Sequence, residues 1–340
     1  MNQNLKTLPI PNQLFSEIKL SPQVLLHIDN SRKTIENIFK GKDKRLLVII
    51  GPCSVHDEDA CLDYASRLKS ILKKYQDSLF IVMRTYLEKP RTTLGWKGFI
   101  SDPDLDGSAH YKDGLYRSRK LLYKINQMGI ATATEILSPY LYIYYSDLIS
   151  WAAIGARTTE SQPHRELVSA LPYAVGFKNS TDGNVQVAID AIKVANHSHI
   201  TCSINNGGKL SLISTLGNQY AHVILRGGKE PNYHEVDISQ LNEKLQNQGV
   251  NRSVVVDLSH GNSQKNHKQQ LVVAESICQQ IKKGMEVIRG IMAESFIEEG
   301  NQSLSHPLVY GQSITDSCLH WQDTIVLLDK FNEAMLNKVS

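Results

Sequence analysis

The stretch VIIGPCSVHD, residues 48–57, has the composition of a buried β-strand that runs directly into a turn. Three β-branched residues precede Gly51 and Pro52, and the turn then carries a single cysteine, Cys53. No second cysteine follows within three residues, so neither a zinc ribbon nor a CxxC redox motif is present here. The stretch therefore predicts a buried strand that carries an isolated thiol at its carboxyl end.

Similar runs recur along the chain and alternate with amphipathic helical stretches. Together with the first, they cover residues 45–50, 79–84, 130–135, 151–157, 173–178, 221–226, 253–260 and 287–294. Between them lie helical patterns such as 59–75 and 113–128, and the second of these ends at Gly129, a typical helix-terminating glycine. Alternating strands and helices form parallel sheets, and eight near-continuous apolar strands are typical of a (β/α)8 TIM barrel. We predict this barrel, with an open doubly wound sheet as the alternative.

Two segments lie outside this repeat. Residues 1–40 contain several prolines and only short apolar patches, which predicts an N-terminal arm ahead of a catalytic barrel at 41–340. Residues 199–214 hold two strand-like runs around the turn sequence NNGG, which predicts a β-hairpin inserted between the fifth and sixth barrel strands.

Composition restricts the classes of function. The 340-residue chain is 41% hydrophobic and 21% charged, with a net charge of +3 and no block of lysine or arginine. This balance is typical of a globular protein and does not favour nucleic-acid binding. No stretch is apolar for long enough to predict a signal peptide or a membrane span. The five cysteines are scattered and odd in number, which favours free thiols and a cytoplasmic location.

The predicted strands end in groups that are costly to bury. Because the carboxyl ends of all strands in a barrel meet on one face, where active sites form, we expect these groups to converge. The cationic members, including two just after the second strand, are Arg84, Lys89, Arg91, Arg157, Lys178 and Arg226. Guanidinium groups bind phosphate and carboxylate bidentately, so this set predicts a ligand with several anionic groups, such as a phosphorylated carboxylic acid or a sugar phosphate.

A second set of groups has metal-binding chemistry. Cys53, His260 and Glu294 follow or end three of the strands, and Asp316 lies in the stretch SITDSC near the C-terminus. A thiolate, an imidazole and two carboxylates suit Mn²⁺, Fe²⁺, Co²⁺ or Zn²⁺, whereas an all-oxygen site would indicate Mg²⁺ or Ca²⁺. From spacing alone each of these side chains could also be structural, since a lone cysteine is usually a small core residue.

Eight motifs carry a resemblance to a known family. They are GPCSVHD, MRTYLEKPRTTLGWKG, GARTTESQ, GFKNSTDG, LRGGKEPNY, DLSHGNSQK, MAESFIEEGNQ and YGQSITDSC. In this order they resemble the short, metal-dependent 3-deoxy-D-arabino-heptulosonate 7-phosphate (DAHP) synthases. The resemblance implies a (β/α)8 barrel with an N-terminal arm, assembled as a homodimer or homotetramer. It also implies the first step of the shikimate pathway, in which phosphoenolpyruvate and D-erythrose 4-phosphate give DAHP and phosphate.

The resemblance also implies roles for individual residues. One divalent metal ion would be held by Cys53, His260, Glu294 and Asp316. The phosphoenolpyruvate contacts would be Arg84, Lys89, Arg157, Lys178, Arg226 and the backbone at Ala156, with Glu135 beside them. The erythrose 4-phosphate contacts would be Arg91 and Thr92. Catalysis would involve Cys53 and His260 at the metal, which polarises the aldehyde or, as the lesser possibility, activates water, while Lys89 donates or relays a proton.

Two rival functions stay open at this level. Lys178 ends a barrel strand, where the lysine of a Schiff-base phosphosugar aldolase could lie. Its alternative role is simple anion binding, which the metal-type residues predicted at the same face favour. A binding module for anions or nucleic acid, without catalysis, is the non-enzymatic alternative.

The family resemblance further implies feedback inhibition by an aromatic amino acid. Its pocket would be formed by the N-terminal arm, the segment after Glu135 and the hairpin. The C-terminal region, beginning HGNSQKNHKQQLVVAESICQQI, is most similar to the tryptophan-sensitive isoenzyme, so tryptophan is the first choice of effector. The stretch LSPYLYIYYSDL, 137–148, departs from the family because it is richer in tyrosine, and these rings could fill the pocket and abolish control. A purely structural role of arm and hairpin at a subunit interface is the alternative.

Overall fold

The computed structural model describes residues 6–305 and 307–338. The strands are β1 Leu46–Gly51, β2 Leu79–Arg84, β3 Ala131–Glu135, β4 Trp151–Ile154, β5 Ala174–Lys178, β6 Ile200–Ile204, β7 Leu210–Ser214, β8 His222–Leu225, β9 Val254–Asp257 and β10 Ile288–Glu294. All except β6 and β7 form one parallel sheet, in which β1 pairs with both β2 and β10 and so closes a barrel. The predicted (β/α)8 barrel is confirmed, and the open sheet is excluded.

Helices surround this barrel. They are α1 Pro11–Glu17, α2 Pro22–Phe39, α3 Glu58–Tyr75, α4 Tyr111–Gln127, α5 Gln162–Ala170, α6 Gln186–Asn196, α7 Glu235–Asn247, α8 Gln269–Lys282 and α9 Trp321–Leu336. α3 begins where the Asp57 side chain accepts a hydrogen bond from the Ala60 amide at 3.0 Å. α4 is followed by Gly129, whose φ of 82° is the left-handed conformation expected after a helix end. Within the described ranges, no helix is long and apolar enough to span a membrane.

Two of the strands predicted from the sequence, 151–157 and 253–260, are longer than the strands in the structure. β4 ends at Ile154 because the amides of Thr158 and Thr159 both bond to the Gly155 carbonyl, which forms a turn. β9 ends at Asp257, and His260 beyond it has a left-handed φ of 55°. Arg157 and His260 are therefore loop residues that follow strands, not strand residues, and they still lie on the same face of the barrel.

The inward-facing residues of the barrel change character along the strands. Alternate residues of a strand face the interior, and the inner core contains Val82, Ala133, Val255 and Met292. Two residues further along the strands, the same face is charged and still buried. These inward charged residues are Arg84, Glu135, Lys178, Asp257 and Glu294. The carboxyl-end mouth of the barrel is therefore lined from within by buried charges.

The base of the barrel is closed by the end of α2. Ile35, Ile38 and Phe39 join the inner core, and the Phe39 ring lies 4.3 Å from the ring of His222 at the start of β8. The second part of the predicted arm therefore packs into the barrel itself. Residues 1–5 of that arm lie outside the described residues.

The predicted hairpin is confirmed in the place where it was expected. β6 and β7 pair antiparallel as a separate two-stranded sheet between β5 and β8 in the chain. Its turn contacts the arm, since the Asn12 amide donates to the Asn206 carbonyl at 2.9 Å.

Candidate active site

A cavity of about 330 Å³ opens at the mouth of the barrel. Eleven of the thirteen residues that the sequence indicated line it, namely Arg84, Lys89, Arg91, Thr92, Glu135, Ala156, Arg157, Lys178, Arg226, His260 and Asp316. The other two, Cys53 and Glu294, are buried beside it. The loops after the strands thus bring nearly the whole predicted set to one cavity.

Three of the predicted metal ligands form a compact group. The ligand atoms of Cys53, Glu294 and Asp316 all lie within 4.8 Å of one another, and the Cys53 sulfur is 4.0 Å from Asp316 Oδ2. Cys53 follows β1, Glu294 ends β10, and Asp316 lies on the long connection to α9, so the group exists only because the barrel closes. One soft sulfur with two carboxylates fits a divalent transition metal or zinc.

His260 lies beside this group without being part of it. Its Nε2 is 3.8 Å from Glu294 Oε1, and its Nδ1 is 2.8 Å from Asp257 Oδ2. His260 Nδ1 also lies 2.7 Å from Ser259 Oγ, and that hydroxyl is bonded to the same Asp257 carboxylate at 2.6 Å. Neighbours that hold one ring nitrogen leave the other free to bind a metal ion in the orientation that they set. Sequence reasoning missed Asp257, although an acidic residue at the end of the apolar run VVVD was a signal.

The thiol of Cys53 lies in an environment of opposing charges. Burial raises its pKa, Glu294 raises it further, and Lys89 opposes both. The Lys89 ammonium lies 3.1 Å from the sulfur. Because a metal ion binds the thiolate, its binding would release the proton that burial favours.

Arg84 is bonded on several sides. Its guanidinium donates to Glu294 Oε1 at 2.9 Å and to the Cys53 carbonyl at 3.2 Å, and it stacks 3.5 Å from the centre of the Tyr86 ring. Glu294 is held from behind as well, since the Gln270 side chain bonds both its amide and its carbonyl, at 2.8 and 3.0 Å. Gln270 was not predicted, because nothing in its helical position marks it as part of a site.

Glu135 and Lys178 form a second buried ion pair. Lys178 Nζ lies 2.8 Å from Glu135 Oε2 and 3.9 Å from Asp257 Oδ2. Although burial opposes ionisation, Lys178 lowers the pKa of Glu135 to about 2. Gly155 is required at this point, because a Cβ atom there would lie 2.8 Å from Glu135 Oε1.

The rim of the cavity is built from loops. Arg157 Nη2 donates to Thr92 Oγ1 at 2.8 Å, which joins the loop after β4 to the loop after β2. The Arg226 guanidinium bonds only the nearby Gly227 carbonyl among the described residues, so it can still bind an anion. Thr181, Lys265 and Thr315 also line the cavity and were missed, since residues of this kind in loops resemble ordinary surface residues.

Comparison with known proteins identifies the chain. The model of the DAHP synthetase I family matches residues 18–329. The chain belongs to this family. Relatives named phospho-2-dehydro-3-deoxyheptonate aldolase, Trp-sensitive, from Escherichia coli and Salmonella typhimurium are 53% and 51% identical over 333 residues, which are 97% of this chain and 96% of each relative.

A solved structure agrees with this membership. Phospho-2-dehydro-3-deoxyheptonate aldolase from Francisella tularensis superimposes on this chain with a TM-score of 0.98 and 44% identity, and the match covers all of both chains. Family and fold together establish the chain as an enzyme of aromatic amino acid biosynthesis with DAHP synthase activity.

Proposed function

We propose that the mouth cavity joins phosphoenolpyruvate to D-erythrose 4-phosphate, with addition of water and release of phosphate. The observation that supports this most directly is a metal-competent group, Cys53, Glu294 and Asp316, beside a cavity with cationic walls. The two substrates carry two phosphates and a carboxylate between them, which matches the cationic set. Holding both in one cavity supplies the proximity that a bimolecular carbon–carbon bond formation needs.

We assign the phosphoenolpyruvate side to the deeper cations. Its phosphate and carboxylate would contact Arg84, Lys89, Arg157, Lys178, Arg226 and the backbone at Ala156, with Glu135 adjacent. Lys178 and Glu135 are already paired, so the ligand would meet an ammonium group whose position is fixed in advance. The erythrose 4-phosphate would lie nearer the rim, against Arg91 and Thr92, where the Arg157–Thr92 bond joins the two halves of the site.

We assign one Mn²⁺, Fe²⁺, Co²⁺ or Zn²⁺ ion to Cys53, His260, Glu294 and Asp316. When bound, it supplies Lewis-acid polarisation of the aldehyde oxygen of erythrose 4-phosphate. The four side chains come from four different strand ends or loops, and Asp257 and Gln270 hold two of them in place.

Individual residues then have separate roles in the reaction. C3 of phosphoenolpyruvate attacks the aldehyde C1, water adds at C2, and phosphate leaves from C2. Lys89 is a candidate proton donor, because Cys53 and Glu294 raise its pKa even though burial lowers it, and its ammonium therefore carries a proton within the site. Cys53 and His260 act through the metal site that they form.

The Schiff-base alternative is disfavoured by the contacts of Lys178. A Schiff-base lysine attacks a carbonyl as the neutral amine. The Nζ atom of Lys178 instead lies 2.8 Å from Glu135 Oε2 and 3.9 Å from Asp257 Oδ2, so two buried carboxylates already engage the atom that would have to attack.

Phosphate release measured with both substrates tests the proposal. We expect release that needs both substrates, that stops after chelation, and that returns when a single divalent metal is added. Release without erythrose 4-phosphate, or full activity in chelated enzyme, would overturn it. Inactivation by borohydride in the presence of the carbonyl substrate would instead support the Schiff base.

We also propose that tryptophan inhibits the enzyme. Relatives at 51–53% identity are named Trp-sensitive, and a cavity of about 390 Å³ lies between the hairpin and the segment after Glu135, lined by Tyr140, Leu167, Cys202 and Ile213 among others. Tyr144 from that segment donates to the Pro9 carbonyl of the arm at 2.7 Å. All three predicted pieces therefore contact one another near this cavity.

A titration with the three aromatic amino acids tests this assignment. We expect millimolar tryptophan to depress turnover, and deletion of residues 1–20 to remove the response while catalysis persists. No binding and no rate change with any of the three would show that control is absent and that the arm is structural.

We also propose that the chain assembles with further copies of itself and lies in the cytoplasm. The outer face of the hairpin exposes Ile200, Leu210 and Leu212, each more than 70% exposed, which favours burial against another subunit in a homodimer or homotetramer. All five cysteines are free, which favours the cytoplasm.

A further inference from the structure

Glu88 is a buried carboxylate that the reaction scheme above does not use. It stands at the base of the substrate loop, residues 89–98, which carries Lys89, Arg91 and Thr92, and only 6% of Glu88 is exposed. Lys89 turns toward the Cys53 sulfur, whereas the Glu88 carboxylate points to the tyrosine segment, residues 137–148. Two adjacent residues thus connect the metal group to a different part of the molecule.

The contacts of Glu88 with the tyrosine segment are specific. Glu88 Oε1 accepts hydrogen bonds from the Tyr145 hydroxyl at 3.0 Å and from the Ser138 amide at 3.4 Å. Tyr145 is itself buried, so water cannot replace either partner easily. Burial raises the pKa of Glu88 to about 7, while Tyr145 and Ser138 work against that rise.

The backbone at Glu88 and Lys89 also holds the two ends of the substrate loop together. The Lys89 amide donates to the Lys97 carbonyl at 2.9 Å. Gly98 packs so closely that a Cβ atom there would lie 2.7 Å from the Glu88 Cα. A shift of Glu88 would therefore move the entry and the exit of the loop together.

The substrate loop and the tyrosine segment line opposite sides of one cavity. A cavity of about 520 Å³ lies between them, with Arg91 and Lys97 on one side and Ser138 and Leu141 on the other. Among the described residues, the side-chain hydrogen bonds that cross from the start of the loop to this segment are those of Glu88, so a change in one segment can reach the other through Glu88.

The far side of the tyrosine segment faces the candidate effector pocket. The Tyr142 hydroxyl lies 3.5 Å from Ser203 Oγ in the hairpin, and the Tyr144 hydroxyl bonds the Pro9 carbonyl of the arm. Tyr145 is the next residue. The arm, the hairpin and Glu88 therefore all bind one short segment.

We propose that the Tyr145–Glu88 hydrogen bond is a positioning device, which holds the substrate loop in place for erythrose 4-phosphate and relays the state of the effector pocket to it. The relay rests on the proposed tryptophan inhibition, whereas the positioning role does not. Three of the cations assigned to phosphoenolpyruvate, Arg157, Lys178 and Arg226, follow or end other strands. Lys89 begins the substrate loop, but its ammonium is held separately by the Cys53 carbonyl at 3.3 Å and the Cys53 sulfur at 3.1 Å. Loss of the Tyr145–Glu88 bond should therefore displace Arg91 and Thr92 more than the phosphoenolpyruvate cations.

Steady-state kinetics of Tyr145→Phe, Glu88→Ala and Glu88→Gln test the positioning role. We expect the first two to raise the KM for erythrose 4-phosphate about three- to tenfold, as for one lost hydrogen bond, and to leave the KM for phosphoenolpyruvate within about twofold. Glu88→Gln retains an acceptor oxygen and should stay close to wild type. Tyr173→Phe is the matched control, since it removes a buried hydroxyl that lies 2.8 Å from Ser146 Oγ in the same segment without touching the loop.

Tryptophan titration of the same variants tests the relay. We expect Tyr145→Phe and Glu88→Ala to raise the half-inhibitory concentration at least about fivefold, while Glu88→Gln and Tyr173→Phe keep the wild-type value. If tryptophan inhibits all of them equally and both KM values are unchanged, the proposal is overturned. If no aromatic amino acid inhibits the wild type, the effector assignment fails, and the KM values alone decide the role of Glu88.

Discussion

The mouth and the base of the barrel are built on the same strands but from opposite kinds of side chain. At the mouth the inward positions carry Arg84, Lys178 and Glu294, whose charges are buried and paired with one another or with neighbours. At the base the inward positions carry Trp151, Ala174 and His222, with Phe39 of α2 closing the opening. A few residues along each strand therefore separate a charged layer from an apolar one.

The two ends differ in what their polar groups do. At the base, Trp151 Nε1 donates to His222 Nε2 at 3.3 Å, and His222 Nδ1 contacts the Tyr220 carbonyl at 2.9 Å. Both ring nitrogens of a neutral imidazole therefore have hydrogen-bond partners. At the mouth, ions are removed from water, which costs more than their mutual attraction usually returns. Changes at the mouth should therefore reduce activity, and changes at the base should reduce stability.

Replacement of Cys53 is expected to give the largest effect. Cys53→Ala removes the sulfur from the proposed metal site, so turnover should fall at least about 1000-fold and metal content should drop to background. The free energy of unfolding should change by no more than about 1 kcal/mol, since one small side chain is shortened. Metal analysis, phosphate release and denaturant unfolding measure the three quantities.

Cys61→Ala provides the matched control for this experiment. Cys61 is equally buried, but it lies in α3 among apolar side chains. It should keep its metal and its turnover. A metal-free Cys53→Ala enzyme with full activity would remove the thiol from the site.

Truncation of a side chain at the base of the barrel is expected to reduce stability and to leave activity nearly unchanged. Phe39→Ala empties space beneath the barrel and should destabilise the protein by about 3–5 kcal/mol, while kcat at a temperature where it stays folded changes less than about twofold. Leu26→Ala on the same helix is the control, because Leu26 is 61% exposed and should cost no more than about 0.5 kcal/mol. A strong loss of kcat without loss of stability would mean that base and mouth are coupled.

This contrast also marks how far the sequence predicts the site. Arg84, Glu135 and Glu294 could be predicted because a charge that ends a buried apolar run has few other reasons to be there. Asp257 ends the apolar run VVVD and carries the same signal, but its pairing with His260 depends on a left-handed turn that the sequence does not indicate. Gln270 reaches Glu294 from a helix, and no sequence pattern marks it as part of the site.

The barrel could be predicted because its strands are marked by short apolar runs, and the errors in strand length have an equally simple cause. Period and apolarity mark the strands, but turn geometry ends them, so β4 and β9 were predicted too long. The contact between Glu88 and Tyr145 links positions 57 residues apart, and no pattern within either stretch indicates it.

Loss of a mouth cation is expected to be a smaller effect than loss of the thiol. Lys178→Ala and Arg157→Ala should each lower kcat/KM for phosphoenolpyruvate by about 10- to 150-fold, which corresponds to about 1.5–3 kcal/mol for one charge-assisted contact. Lys193→Ala, on the outer helix α6, should leave the kinetics unchanged. Wild-type values in both Lys178 and Arg157 variants would exclude these residues from the substrate site.

The smallest expected effect is the change in stability with pH that arises from His222 at the base of the barrel. Burial lowers the pKa of His222 to about 4, from an ordinary value of 6.5. Between these two values the unfolded chain binds a proton that the folded protein excludes, so the contribution of His222 to stability is lost as the pH falls through this window. The expected loss between pH 7 and pH 5 is about 2 kcal/mol.

Unfolding of the wild type alone does not measure the contribution of His222. Glu88, near the mouth of the barrel, makes a pH-dependent contribution to the free energy of unfolding that has the opposite sign. Burial raises the pKa of Glu88 from its ordinary 4.5 to about 7, so Glu88 binds its proton more tightly in the folded state and favours folding as the pH falls. The comparison with His222→Leu cancels the Glu88 contribution, since both proteins retain it. The difference in unfolding free energy between wild type and His222→Leu should shrink by about 2 kcal/mol from pH 7 to pH 5, whereas replacement of the exposed His197 by leucine should show no such change. A constant difference across this range would mean that His222 takes up its proton in the folded protein, and that the base of the barrel admits charge as the mouth does.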